Sequence, residues 1–120
     1  MQRSVLIVDD EENLLVLLDS VLSKEGFHVR TTSNAYHALE LVDHWRFKLA
    51  ILDIKMFPID GVALLSEIKK RTPSAQVIMI TAYPTPDTRN ECLRIGAANY
   101  LTKPLDIQEL KTVVSTLAAV

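Results

Sequence analysis

The sequence Val5-Leu-Ile-Val-Asp-Asp10 shows the pattern that decides the fold, because four apolar residues run directly into two carboxylates. The pattern recurs twice: residues 49–52 end at Asp53, and residues 77–80 end at Thr81. Continuous apolar runs of this length are typical of parallel strands that are covered on both faces. We therefore predict three buried parallel strands, each with a polar side chain at its carboxyl end.

Segments with the period of an amphipathic helix separate these strands. Two weaker runs, residues 27–32 and 98–101, alternate more between polar and apolar residues, as strands nearer an edge do. Strand and helix alternate five times, which predicts one α/β domain over residues 1–120 with a parallel sheet and right-handed crossovers. The predicted helices are one that ends at Gly26, one over 35–43, one from Asp60 to before Pro73, one over 87–95 and one that follows Asp106.

The composition excludes several classes of protein. The 120-residue chain has 13 basic and 15 acidic side chains, and its formal net charge of −2 gives no basic surface for nucleic acid or an anionic membrane. No apolar run approaches the roughly 20 residues that span a bilayer. The single cysteine, Cys92, cannot form an internal disulfide, which favours a reducing compartment. We expect a cytoplasmic protein that binds neither nucleic acid nor membrane.

Polar residues from distant parts of the chain should meet at one edge of the sheet. Ligands bind outside the carboxyl ends of the strands in such folds, and these ends carry Asp9, Asp10, Asp53 and Thr81, with Lys103 after the last strand. Three adjacent carboxylates repel one another unless one is protonated or a divalent cation binds, and carboxylate oxygens suit Mg²⁺. Because a carboxylate can attack phosphorus, the residues predict a phosphoryl-accepting aspartate beside a Mg²⁺ site.

Four segments, in order and at matching spacing, resemble the receiver domains of bacterial two-component response regulators, and the resemblance covers the whole chain. It implies a flavodoxin-like sheet of five strands in the order 2-1-3-4-5, with helices on both faces. The segments are Val5-Leu-Ile-Val-Asp-Asp-Glu-Glu-Asn13, Asp53-Ile-Lys-Met-Phe-Pro-Ile-Asp-Gly61, Ile80-Thr-Ala-Tyr83 and Gly96-Ala-Ala-Asn-Tyr-Leu-Thr-Lys-Pro104.

The resemblance implies a chemical role for each matching polar residue. Asp53 would accept a phosphoryl group from a sensor histidine kinase. Asp10, Asp53 and the carbonyl of Lys55 would bind Mg²⁺ directly, and Asp9 would act largely through water. Lys103 would pair with the acceptor or with its phosphate. The chain would then be a regulatory domain that catalyses only its own phosphotransfer and slow autodephosphorylation.

The resemblance also implies a conformational switch. Thr81 would move toward the phosphate, Tyr100 would turn inward, and the peptide bond before Pro104 would be cis. The face made by the fourth helix, fifth strand and fifth helix would change and control an output domain or effector. That face would also support a phosphorylation-dependent homodimer.

Two departures from the family pattern change these expectations locally. Phe57 stands where the family usually has proline, and Pro58 follows it, so we expect Phe57 to be an exposed contact beside the metal site. Pro84 and Pro86 occupy the start of the fourth helix, and we expect them to delay or distort it, because the residue before proline avoids the helical region.

Three other functions compete with this one. A Mg²⁺-dependent phosphatase with an aspartyl intermediate usually needs a second acid two residues after the nucleophile, where this chain has Lys55. A flavin or nucleotide binder needs a phosphate-cradling first loop, whereas Asp10-Glu-Glu-Asn13 would repel an anion. An interaction-only relative would not need the acid pair, Asp53, Thr81 and Lys103 together.

Overall fold

A single five-stranded parallel sheet forms the centre of the fold, with helices on both faces. The computed structural model describes residues 3–119, so residues 1, 2 and 120 of the predicted domain lie outside it. The strand order β2-β1-β3-β4-β5 confirms the order that the resemblance implied. The elements are β1 (Ser4–Val8), α1 (Glu12–Lys24), β2 (His28–Thr32), α2 (Ala35–His44), β3 (Leu49–Asp53), α3 (Gly61–Arg71), β4 (Gln76–Thr81), α4 (Pro86–Ile95), β5 (Asn99–Thr102) and α5 (Ile107–Ala118).

The sheet separates two apolar cores. Successive side chains of a strand point to opposite faces, so Leu6 and Val8 pack with α2, α3 and α4, whereas Val5 and Ile7 pack with α1 and α5. All four side chains are fully buried. The unbroken apolar runs in the sequence therefore reflect burial on both faces, as predicted. Within residues 3–119, no helix is both long and apolar enough to cross a bilayer.

The start of α4 corrects one expectation. We expected Pro84 and Pro86 to delay or distort this helix, but it begins at Pro86, one residue earlier than predicted. The first helical position does not need an N–H group, and the fixed φ of proline suits it. The Thr85 side chain caps the helix by accepting a hydrogen bond from the Thr88 N–H at 3.1 Å. The helix start is therefore regular.

Gly61 brings the start of α3 into direct contact with the end of β3. Its N–H donates to the Ile54 carbonyl at 2.8 Å. A Cβ atom at this position would overlap the carbonyl oxygen of Asp53, and it would lie 2.7 Å from Ile54 Cα and 2.8 Å from the carbonyl carbon of Asp53. Only glycine fits without moving the backbone, so Gly61 fixes the position of the segment that carries Asp53.

Candidate functional site

The carboxyl edge of the sheet gathers the polar residues that the sequence singled out. Asp53 and Thr81 are the last residues of β3 and β4, and Asp9 directly follows β1. Lys103 directly follows β5, and its backbone N–H donates to the Thr81 carbonyl at 2.8 Å. Parallel pairing of β1 with β3 and of β4 with β5 brings these residues to one place.

Three carboxylates form an acidic cluster at this edge. Asp9, Asp10 and Asp53 each offer one oxygen, and these oxygens all lie within 4.8 Å of one another. Asp9 and Asp53 are buried, with 0% and 4% of their surface exposed, whereas Asp10 is exposed. The Lys55 N–H lies beside the cluster and donates to Asp53 Oδ1 at 3.3 Å. The cluster is therefore open to solvent on the side of Asp10.

Lys103 is the cation of the site, and it contacts three carboxylates. Its Nζ lies 2.8 Å from Asp9 Oδ2, 2.7 Å from Glu11 Oε1 and 3.4 Å from Asp53 Oδ2. Sequence reasoning predicted the pairing with Asp53 and missed Glu11. Glu11 and Lys103 are 92 residues apart, and no spacing pattern in the sequence connects them.

Burial and charge shift the proton affinities of the site. Burial raises the pKa of Asp53 and the charge of Asp9 raises it further, while the Lys103 ammonium and the Lys55 N–H oppose the shift. Burial also raises the pKa of Asp9, despite its contacts with Lys103 and with the Glu11 N–H. For Lys103, burial lowers the pKa, but contacts with Asp9 and Glu11 prevail and hold it above its usual value. The site thus contains an ammonium group and two buried carboxylates, and burial limits how far water can stabilise the carboxylate charges.

The two predicted switch residues lie behind the site. Thr81 is fully buried, and its Oγ1 accepts a hydrogen bond from the Tyr83 N–H at 3.0 Å. The ring of Tyr100 packs against the core under α3 and α4. Its hydroxyl group is buried and has no hydrogen-bond partner within residues 3–119. In this structure, therefore, Tyr100 already points inward.

Two cis peptide bonds, each preceding a proline, flank the site. The Lys103–Pro104 bond is cis, as the resemblance implied, and the Phe57–Pro58 bond is also cis, which the sequence reasoning did not predict. Phe57 has 85% of its surface exposed, which confirms the expected exposure. Its ring lies on the surface of the loop that follows Asp53.

Comparisons with known proteins agree with this geometry. The response regulator receiver domain family matches residues 5–115. The transcriptional regulatory protein ZraR of Klebsiella oxytoca is 39% identical over 118 residues, which cover 98% of this chain and 27% of that protein. This chain thus spans about a quarter of the length of that relative.

Two solved structures are similar throughout this chain. A response regulator from Burkholderia pseudomallei, solved with a phosphorylated aspartic acid, calcium ion and citrate, has a TM-score of 0.89 and 26% identity over 98% of this chain and 69% of that one. The beryllofluoride-activated receiver domain dimer of NtrC4 has a TM-score of 0.93 and 30% identity over 98% of each chain. The chain therefore belongs to the response regulator receiver domains, which are the signalling switches of two-component systems.

Proposed function

We propose that Asp53 is the phosphoacceptor of this receiver domain and takes its phosphoryl group from a sensor histidine kinase in a Mg²⁺-dependent reaction. The observation that carries the proposal is the position of Asp53, buried at a strand end between two further carboxylates and an ammonium group. Lys103, which is 50 residues from Asp53 in the sequence, offsets part of the negative charge of this cluster. A structurally similar regulator carries a phosphorylated aspartic acid.

The residues present fit a hard divalent cation. The cluster offers three carboxylate oxygens within 4.8 Å of one another. Asp9 Oδ2 is buried and lies 2.8 Å from Lys103 Nζ, so Asp9 is already paired with the ammonium group. We assign Asp10, Asp53 and the Lys55 carbonyl as direct ligands of Mg²⁺, with Asp9 acting through water. Bound there, Mg²⁺ would offset the negative charge of the reacting phosphoryl oxygens.

The reaction needs little from the protein beyond position and charge. An Asp53 carboxylate oxygen forms the O–P bond while the P–N bond to the donor histidine breaks, and the departing nitrogen takes the electron pair. The Asp53 side chain loses one negative charge and gains about two. Lys103, 3.4 Å away, supplies a positive charge at the acceptor. The chain would thus catalyse its own phosphotransfer and slow autodephosphorylation and no other reaction.

The signal would pass from the phosphate to the surface through Thr81 and Tyr100. The Thr81 hydroxyl would bind a phosphoryl oxygen after giving up its bond from the Tyr83 N–H, and Tyr100 would occupy the space behind it. This coupled pair is a two-state element that a local charge can bias. We propose that the surface formed by α4, β5 and α5 changes as a result and controls an output domain or effector protein.

Partners and location follow from the same role. The chain would meet its kinase in the cytoplasm, which agrees with the free, buried thiol of Cys92. It would bind neither nucleic acid nor membrane directly. A phosphorylation-dependent homodimer is proposed by analogy with the NtrC4 dimer, and an unchanged sedimentation coefficient after phosphorylation would contradict it.

The lifetime of the phosphoryl group follows from two bulky residues. Lys55 and Tyr83 stand on the loops after β3 and β4, where attacking water would approach, and Tyr83 is 69% exposed. We therefore propose that the group persists for minutes or longer with Mg²⁺ present. A half-life of seconds would contradict this.

Intact mass after incubation with acetyl phosphate and Mg²⁺ tests the proposal. The wild type should gain about 80 Da, the mass of one phosphoryl group, and Asp53→Asn should gain nothing. Chelation of the metal should also abolish the gain. A gain in the Asp53→Asn variant would show that Asp53 is not the acceptor. If folded wild type gains no mass even from a phosphorylated histidine kinase, the chain is an interaction-only relative.

A further inference from the structure

The side chain of Glu11 makes a contact with Lys103 that the proposed reaction does not use. Glu11 Oε1 lies 2.7 Å from Lys103 Nζ, closer than the oxygen of the phosphoacceptor Asp53, which lies at 3.4 Å. An ammonium group has three N–H donors, and here it faces three carboxylates. The positive charge of Lys103 is therefore shared between Glu11 and the site.

The position of Glu11 is set by the site. Glu11 precedes the first residue of α1, a place where side chains often accept hydrogen bonds from the helix N–H groups, but its side chain accepts none. Instead, its backbone N–H donates to Asp9 Oδ1 at 2.8 Å, and Asp9 Oδ2 lies 2.8 Å from Lys103 Nζ. Asp9, Glu11 and Lys103 thus form a closed ring of contacts.

Of these partners, Glu11 is the one that can be replaced by water. Its side chain is 60% exposed, whereas that of Lys103 is 12% exposed. The backbone of Lys103 is held by its bond to the Thr81 carbonyl, so only the side chain of Lys103 can change partner. Glu11 and Lys103 also line a groove of about 480 Å³ between α1 and the segment that follows β5.

We propose that Glu11 is a positioning residue that competes with Asp53 for Lys103 and thereby slows phosphorylation. The inference rests on the proposed function and deepens it. When Asp53 gains a phosphoryl group of about two negative charges, Lys103 moves from Glu11 to a phosphoryl oxygen, and Glu11 turns to solvent. Each loading event therefore has to break the Glu11–Lys103 pair.

Removal of the Glu11 carboxylate should make phosphorylation of Asp53 faster. An ion pair with one exposed partner is weak, so we expect Glu11→Gln to raise the initial rate of phosphorylation by acetyl phosphate about two- to fivefold. Glu11→Asp keeps the charge but shortens the reach by one methylene group, and it should raise the rate as well. Both variants should keep the thermal midpoint of the wild type within about 2 °C, since surface changes cost little.

Glu12→Gln is the matched control. Glu12 is the exposed neighbour of Glu11, and it makes no ion pair within the described part of the chain. This variant removes the same charge without touching Lys103, so its rate should stay within about 1.3-fold of wild type, because solvent screens an exposed charge. The readout is the fraction of phosphorylated protein, by intact mass, at early times with Mg²⁺ present.

The outcomes separate the two proposals. Faster loading of Glu11→Gln and Glu11→Asp than of Glu12→Gln, at unchanged stability, would support competition for Lys103. Equal rates for Glu11→Gln and Glu12→Gln would overturn it while leaving Asp53 as the phosphoacceptor. A wild type that gains no mass would overturn the proposed function and this inference with it.

Discussion

Replacement of Gly61 by alanine should damage both stability and phosphorylation. The added Cβ would overlap the carbonyl oxygen of Asp53, and it would lie 2.7 Å from Ile54 Cα, whereas ordinary contact begins at 3.4 Å. The start of α3 and the end of β3 must therefore separate by more than roughly 0.7 Å. The opposing atoms are backbone and cannot rotate away. We therefore expect a loss near the upper end of the overpacking range, about 3 kcal/mol. Because Asp53 lies in the displaced segment, its phosphorylation should slow by about tenfold or more.

Urea unfolding and intact mass measure these two effects separately. A loss of about 3 kcal/mol corresponds to a midpoint shift of about 1.5 M at an m value near 2 kcal/mol/M. Gly26→Ala is the matched control, because φ is +92° there and, among the residues that the structure describes, a Cβ would meet only Arg3 Nη1, at 3.6 Å. That variant should lose about 1–2 kcal/mol from backbone strain alone and phosphorylate normally. If Gly61→Ala were as stable as the wild type and loaded at the same rate, the steric argument would be refuted.

Three further predictions concern charge, burial and a surface contact. Without Mg²⁺, Asp53→Asn should be more stable than wild type at pH 7, because burial and Asp9 raise the pKa of Asp53 and its charge therefore destabilises the fold. The stability gained by the variant should vanish as the pH falls below 3.8, the pKa of Asp53 in the unfolded chain, because Asp53 is then protonated in both the folded and the unfolded state. A stability gain that is independent of pH would contradict this. The fully buried Cys92 thiol, whose pKa burial raises, should react with a thiol reagent about 10³-fold more slowly than in urea-unfolded protein, and rapid labelling of native protein would be inconsistent with its burial. Arg30→Ala should lower the free energy of unfolding, measured in urea, by about 0.5–1 kcal/mol, because the guanidinium lies 4.0 Å from the centre of the Trp45 ring. If Arg30→Ala lowers it equally in a Trp45→Leu background, the stacking contributes nothing.

Much of the fold could be predicted because each strand had to be covered on both faces. The runs at residues 5–8, 49–52 and 77–80 lack alternation, and this single property indicated parallel strands between two helical layers. The observed strands differ from the predicted ones by one residue at one end or, for β4 and β5, at both ends, since the apolar pattern says little about where strand pairing stops. The strand order came from the resemblance, and the structure confirms it.

Contacts between exposed side chains could not be predicted from the sequence. Trp45 is 44% exposed and stacks on Arg30, a contact that no local pattern predicts. Glu11 was read only as a charge that repels anions, and its contact with Lys103 depends on the placement of β5 beside β4. Pro86 was expected to distort α4 because the residue before proline avoids the helical region, but Pro86 is the first residue of that helix, where proline fits. For Trp45 and Glu11, the tertiary arrangement and not the local pattern selected the partner.

The roles of individual site residues remain predictions, although the structure brings them together. One oxygen each of Asp9, Asp10 and Asp53 lies within 4.8 Å of the others, a spacing that fits the predicted cation site. Tyr100 already points inward with a buried hydroxyl group, so its inward turn on phosphorylation stays a prediction. Mass and binding measurements on the variants above would assign each role.

The long sequence separation of the site has a consequence for the synthesis of the chain. Lys103 is 50 residues from Asp53 and 92 from Glu11, and it reaches the site only after β5 has paired with β4. A ribosome-bound chain translated only through β4 contains Asp9 and Asp53 without the ammonium group that offsets their charge. Domains generally fold as units, so the complete site forms only after the last strand has been made. An incomplete or proteolytically clipped chain that lacks β5 and Lys103 therefore cannot form the complete site.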